Sequence, residues 1–138
     1  MIGSFAIHCV AWLAFTSTII VPYVALPVDI EDLTSFEWEE GQDLPEDIAA
    51  LDRTRIDIEG YVHTTEGPDG KVFLLIPDQK CRCQGTPPPN YFVKVYLDGE
   101  GEGHPSGRVR LTGKFFVSEK YEDGFVTSIY RLRGRFIE

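Results

Sequence analysis

The sequence predicts an all-β fold: a small five-stranded Greek-key barrel of the OB-like kind, preceded by an apolar N-terminal helix and a short helix in a connector. Three observations predict it. From residue 53 onward apolar and polar residues alternate with the period of a half-buried strand. Clusters of Gly, Pro, Asp and Asn cut that pattern into short runs. Gly60, Gly113 and Gly134 fall inside the runs, where mid-strand glycines mark bulges or barrel corners. A small sandwich is the competing architecture.

Charge divides the 138 residues into three parts. Residues 1–28 carry no Asp, Glu, Lys or Arg. An uncharged apolar stretch of this length exceeds the roughly 18 residues that suggest a spanning helix. It reads as a signal peptide or a membrane anchor, although a basic flank and a clear small-residue cleavage site are missing. Cys9, inside this run, reads as a small apolar residue of a membrane helix.

Residues 29–52 hold ten acids and no Lys or Arg, and read as an acidic linker. Pro45, Glu46 and Asp47 ahead of Ile48, Ala49, Ala50 and Leu51 predict a short helix. Phe36 and Trp38 are its expected apolar pins against the domain. Residues 53–138 form the barrel domain. They carry all 13 basic residues against 12 acidic ones, so the formal net charge of −9 belongs to the connector. A near-neutral domain argues against a nucleic-acid partner.

Within the domain, residues 55–63 alternate and form the first strand. Gly67, Pro68, Asp69 and Gly70 turn the chain into a second strand at 71–77. A loop at 78–90 leads to a third strand at 91–97. A glycine-rich stretch at 98–107 leads to a fourth at 108–117. Glu122, Asp123 and Gly124 turn the chain into the fifth, 125–137.

The loop at 78–90 carries the sharpest local chemistry. Cys81 and Cys83 flank Arg82. In an exported protein the pair has three readings. It is a tight, strained disulfide, a soft-metal site, or an inert structural pair. A metal there would be Zn or Cu(I), with His63 or His104 completing the ligands. Arg82 between the sulfurs favours thiolate character, which keeps thiol-redox chemistry in view. Pro87, Pro88, Pro89 and Asn90 predict an extended segment that could dock a protein partner. On the last strand, Arg131, Arg133 and Arg135 share one face. They predict a surface for anionic ligands or lipid headgroups, or one that pairs with the acidic linker or with Asp57 and Glu59.

The residues at 51–53, 58–61, 73–75, 109–113 and 130–132, together with the run Cys81-Arg82-Cys83-Gln84-Gly85-Thr86-Pro87-Pro88-Pro89-Asn90, resemble an uncharacterised bacterial exported family. Its members carry a signal or lipoprotein sequence and a C-C-F-G-x-P-P-P-N loop. Here Arg82 separates the cysteines and Gln84 stands where the family has an aromatic residue. The resemblance covers residues 44–137. It implies an extracytoplasmic, periplasmic location and an accessory role in envelope transport or metal handling.

No Ser-His-Asp arrangement, H-E-x-x-H motif or phosphate-cradling glycine loop is present in the sequence. The expectation is a non-enzymatic cell-envelope binding module, membrane-anchored or secreted to the periplasm. Its partners would be the membrane, through residues 1–28, and an envelope protein. The alternatives are a soft-metal protein and a thiol-redox protein built on Cys81 and Cys83.

Overall fold

The computed structural model describes residues 18–19, 24–78, 87–99 and 105–137. Its elements, in chain order, are β1 (Leu26–Asp29), α1 (Ile30–Thr34), α2 (Glu46–Ala49), β2 (Arg55–Glu66), β3 (Val72–Ile76), β4 (Val93–Leu97), β5 (Arg108–Glu122) and β6 (Phe125–Phe136).

Five strands close a barrel in the order β2-β3-β4-β6-β5, with β5 pairing back onto β2. All these pairings are antiparallel except β4 with β6. The chain must therefore cross from β4 past β6 to reach β5, which gives the Greek-key connection the alternating pattern predicts. Closure needs close approach between β5 and β6. Gly113 and Gly134 are direct partners there. A Cβ on Gly134 would run into the Thr112 carbonyl, and one on Gly113 into the Arg133 carbonyl. Only glycine permits backbone this close.

The inward positions fill the barrel. Ile56, Ile58, Phe73, Leu75, Val93, Val95, Leu111, Phe115, Tyr130 and Leu132 are buried in one cluster. The Phe115 and Tyr130 rings stack at 5.8 Å. Leu74, Ile76 and Phe92 make a second, smaller cluster on the outer side of β3.

The N-terminal region departs from expectation in two ways. Residues 26–28, expected at the end of an apolar helix, belong to the extended strand β1, which pairs in parallel with Ile56–Glu59 of β2. The rest of the expected apolar helix lies mostly outside the described residues. Among those described, no helix is long and apolar enough to cross a membrane.

Second, the acidic segment is built into the barrel's core. Its helix α2 lies where Pro45 and the acids predict it, and α1 precedes it, capped by the Asp29 carboxylate accepting from the Glu31 N–H at 3.0 Å. Ile30, Leu33 and Ile48 join the barrel's buried cluster, and Phe36, Trp38, Leu44 and Leu51 pack against it. The acids point out while the interleaved apolar residues close one end of the barrel. The buried Tyr130 hydroxyl donates to the Leu33 carbonyl at 2.8 Å. Asp52 Oδ1 accepts from the Val117 N–H at 2.8 Å, where the β5–β6 register breaks. That bond satisfies a donor the bulge would otherwise leave unpaired.

Candidate binding face

Cys81, Arg82 and Cys83 lie outside the described residues, as does His104. The loop's exit is described. Pro87 is buried, Pro88 is exposed, and Pro89 and Asn90 are half-buried. The Tyr91 N–H donates to the Pro88 carbonyl at 2.9 Å. Asn90 Nδ2 donates to the Phe36 carbonyl at 2.9 Å, so the loop is stapled to the N-terminal segment. Next to this exit, burial and the charge of Asp78 both push the Tyr91 pKa up. His63 is the extra residue of a bulge in β2, between Val62 paired with Leu75 and Thr64 paired with Leu74. No group of three or more potential metal ligands occurs among the described residues.

Arg131, Arg133 and Arg135 do share an outer face, and register supplies what surrounds them. Arg133 lies directly between Lys114 of β5 and Tyr96 of β4. Lys114 in turn lies directly opposite Arg55 of β2. One row across four strands thus reads Arg55, Lys114, Arg133, Tyr96. The adjacent row reads Phe116, Arg131, Lys94. Arg135 faces Thr112 in the row on the other side. Neighbouring strands are about 4.8 Å apart, and directly opposed like charges destabilise a sheet. Three such pairs stand side by side here: Arg55 with Lys114, Lys114 with Arg133, and Arg131 with Lys94.

Among the described residues the face is neutralised only in part. Lys94 Nζ pairs with Glu66 at 3.2 Å and Lys120 Nζ with Glu122 at 3.4 Å. Among the described residues, Lys114, Arg131, Arg133 and Arg135 form no ion pair. Arg131 is instead held by neutral groups, donating to the Ser118 carbonyl at 3.0 Å, Ser118 Oγ at 2.6 Å and Ser128 Oγ at 3.3 Å. The lysines are steered by rings, Lys94 Nζ at 5.8 Å over Tyr96 and Lys114 Nζ at 5.6 Å over Phe116. Burial lowers the Lys94 pKa, but the hydrogen bond and charge of Glu66, with smaller help from Tyr96 and Glu122, outweigh it and raise the value overall. Lys94 is therefore cationic across the neutral range.

Two shallow hollows meet at Arg133. One, of about 470 Å³, is lined by Tyr96, Phe116, Lys120, Arg131, Leu132 and Arg133. The other, of about 580 Å³, is lined by Arg55, Lys114, Arg133 and Arg135, by the acid Asp98, and by Gly99, Thr112, Gly113 and Gly134.

The expected pairing of these arginines with the acidic segment does not occur among the described residues. That segment docks through apolar side chains over the barrel's end, while the arginines stand on its wall. Nor do Asp57 and Glu59 pair with them. Glu59 pairs with Arg108, and with Arg110 at 3.6 Å. Sequence alternation marks the three arginines. Lys94, Tyr96, Lys114 and Phe116 escape it because their proximity depends on register between distant strands.

No protein-family model matches the chain, and no curated protein matches it. Among solved structures, the fold is similar to the crystal structure at 2.45 Å resolution of a DUF3299 family protein from Pseudomonas aeruginosa PAO1. The TM-score is 0.55 and the identity 19%, over 83% of this chain and 97% of that one. The shared feature is the fold, and the neighbour is a bacterial protein from a family of unknown function.

Proposed function

We infer that this chain is a non-enzymatic binding module of the cell envelope, accessory to a membrane transporter or similar assembly. One observation carries the reading: the outer wall of β4, β6 and β5 sets like charges directly opposite each other, and four of its cations, Lys114, Arg131, Arg133 and Arg135, form no ion pair among the described residues. Such a face costs the free protein stability, and an anionic surface brought from outside would relieve that cost. The envelope location is supported by the uncharged residues 1–28 and by the Cys- and Pro-rich loop that resembles an exported family. The loop's exit at Pro87–Asn90, stapled to Phe36, offers a second surface for a partner.

The test uses the full-length chain, fractionated and then chemically cross-linked in intact cells. Wild type is expected in the envelope fraction with defined cross-links to an envelope component. The double variant Lys114→Glu/Arg133→Glu is expected to stay in that fraction and lose those cross-links. Recovery of wild type from the cytoplasmic fraction, or an unchanged cross-link pattern in the variant, overturns the reading.

A further inference from the structure

We propose that the cationic wall binds an acidic polysaccharide whose chain runs across the strands, along the row Arg55–Lys114–Arg133–Tyr96. This rests on the binding-module reading and names the class of ligand for that same face.

Three features select the class. The first is spacing. The three cations of the row sit on three adjacent strands, so their backbones recur every 4.8 Å or so. That repeat is of the order of one pyranose unit in an extended chain, so a chain laid across the strands brings whichever carboxylates face the wall within reach of Lys114 and Arg133. The second is the flanking row. Arg131 and Lys94 run parallel to the first row, two residues along each strand, about 6.8 Å away. They provide a second line of donors for hydroxyls and carboxylates on the other edge of the sugar ring. Arg131 is already fixed by its three bonds to Ser118 and Ser128, so little freedom is lost on binding.

The third feature is the state of the rings. Tyr96 and Phe116 each have a lysine ammonium over them, at 5.8 Å and 5.6 Å. Single-stranded nucleic acid needs open ring faces on which bases stack. Here the rings aim cations instead, which suits a ligand recognised by its carboxylates. The hollows beside Arg133 are shallow, fitting an extended chain laid on the wall rather than an enclosed small molecule.

The experiment is calorimetric titration of the full-length protein in a neutral detergent. The probes are oligogalacturonate, a neutral dextran oligomer, an oligothymidylate and vesicles containing an anionic phospholipid. Oligogalacturonate is expected to bind and dextran to give no heat. Raising salt from about 0.1 M to about 1 M, which shortens the screening length from about 10 Å to about 3 Å, should abolish binding. Lys114→Gln and Arg133→Gln should each weaken it about tenfold or more, since each removes a charge facing the ligand, while the melting temperature holds or rises as a like-charge pair is relieved. Arg108→Gln, which removes a charge away from the wall, should not.

Oligothymidylate or anionic vesicles binding more tightly than oligogalacturonate would overturn the proposal. So would an oligogalacturonate affinity indifferent to Lys114 and Arg133. If the envelope cross-links depend on Lys114 and Arg133 but oligogalacturonate does not bind, the ligand class fails and the binding surface stands. If neither holds, both fail.

Discussion

At the scale of single residues, Tyr130 joins the barrel to its N-terminal cover. Its ring is fully buried against Phe115, and its hydroxyl donates to the Leu33 carbonyl. Burial, with a smaller push from Asp47, raises its pKa above the usual 10.0. The folded state therefore holds the phenol proton more tightly than the unfolded chain. The stability this confers is complete below pH 10.0 and is lost as pH rises through the folded value. Tyr130→Phe removes the hydrogen bond and strands a buried carbonyl, which should cost about 1–2 kcal/mol near neutrality. It also removes the titration, so the gap from wild type should narrow at about pH 11. Urea unfolding of both proteins at the two pH values measures this, and a gap independent of pH would refute it. Exposed Tyr121 offers a contrast. Its hydrogen bond to Glu119 at 2.6 Å pushes its pKa up to about 12 without tying it to the core. Gly134 makes a second residue-scale case. A Cβ there meets backbone, which cannot swing aside as a side chain can. Gly134→Ala should therefore cost at least the upper part of the 1–3 kcal/mol or so typical of overpacking. A midpoint shift under half of that in urea would mean the β5–β6 approach is looser than described.

At the scale of elements, the β5–β6 hairpin and the α1–α2 segment show why some parts of the fold are legible and others are not. β3 is legible as an apolar run between turn signals, buried on both faces from Phe73 to Ile76, whereas period-two alternation reveals strands such as β2 and β5, which bury one face and leave much of the other exposed. It stops short at the hairpin's outer end. There β5 continues past a bulge from its expected end at 117 to Glu122, while β6 starts at Phe125, where the turn at 122–124 predicts it. Those residues no longer bury a face, so alternation fades although the ladder continues. The turn itself was readable, since Asp123 and Gly124 both take positive φ, 52° and 84°, as a two-residue hairpin loop requires. The acidic segment misleads in the opposite sense. Its ten acids dominate its composition, and a charge-rich stretch reads as a solvated spacer. Its few apolar residues are spaced so that Ile30, Leu33 and Ile48 still reach one core. Leu33→Ala should cost about 2–5 kcal/mol, the range for a buried leucine in a well-packed site. A spacer residue would cost almost nothing, so chemical denaturation separates the two roles cleanly. The wall of cations was legible only along β6. Alternation within a strand shows which residues share a face, whereas pairing between β2 and β5 joins residues as far apart in sequence as Arg55 and Lys114.

For the whole molecule, charge is segregated rather than cancelled. An acid-rich segment covers one end of the barrel, and a cationic wall runs up its side. Two kinds of force could hold such a segment in place, and they respond oppositely to salt. Ion pairing with the wall would weaken as the screening length falls from about 10 Å at 0.1 M to about 3 Å at 1 M. Apolar burial would not, and removing self-repulsion among ten acids and among the opposed cations should help it. The interface described is apolar, with Leu33 1% exposed and no ion pair from the segment to Arg131, Arg133 or Arg135 among the described residues. The melting temperature of the full-length protein should therefore stay level or rise between about 0.1 M and about 1 M sodium chloride. Deleting residues 29–52 should abolish cooperative unfolding at both salt concentrations, because the barrel's end and the Tyr130 hydroxyl would be left uncovered. A deletion that melts like wild type at high salt would show that the segment is only a tether. A wild-type melting temperature that falls with salt would show that charge, not burial, holds it down.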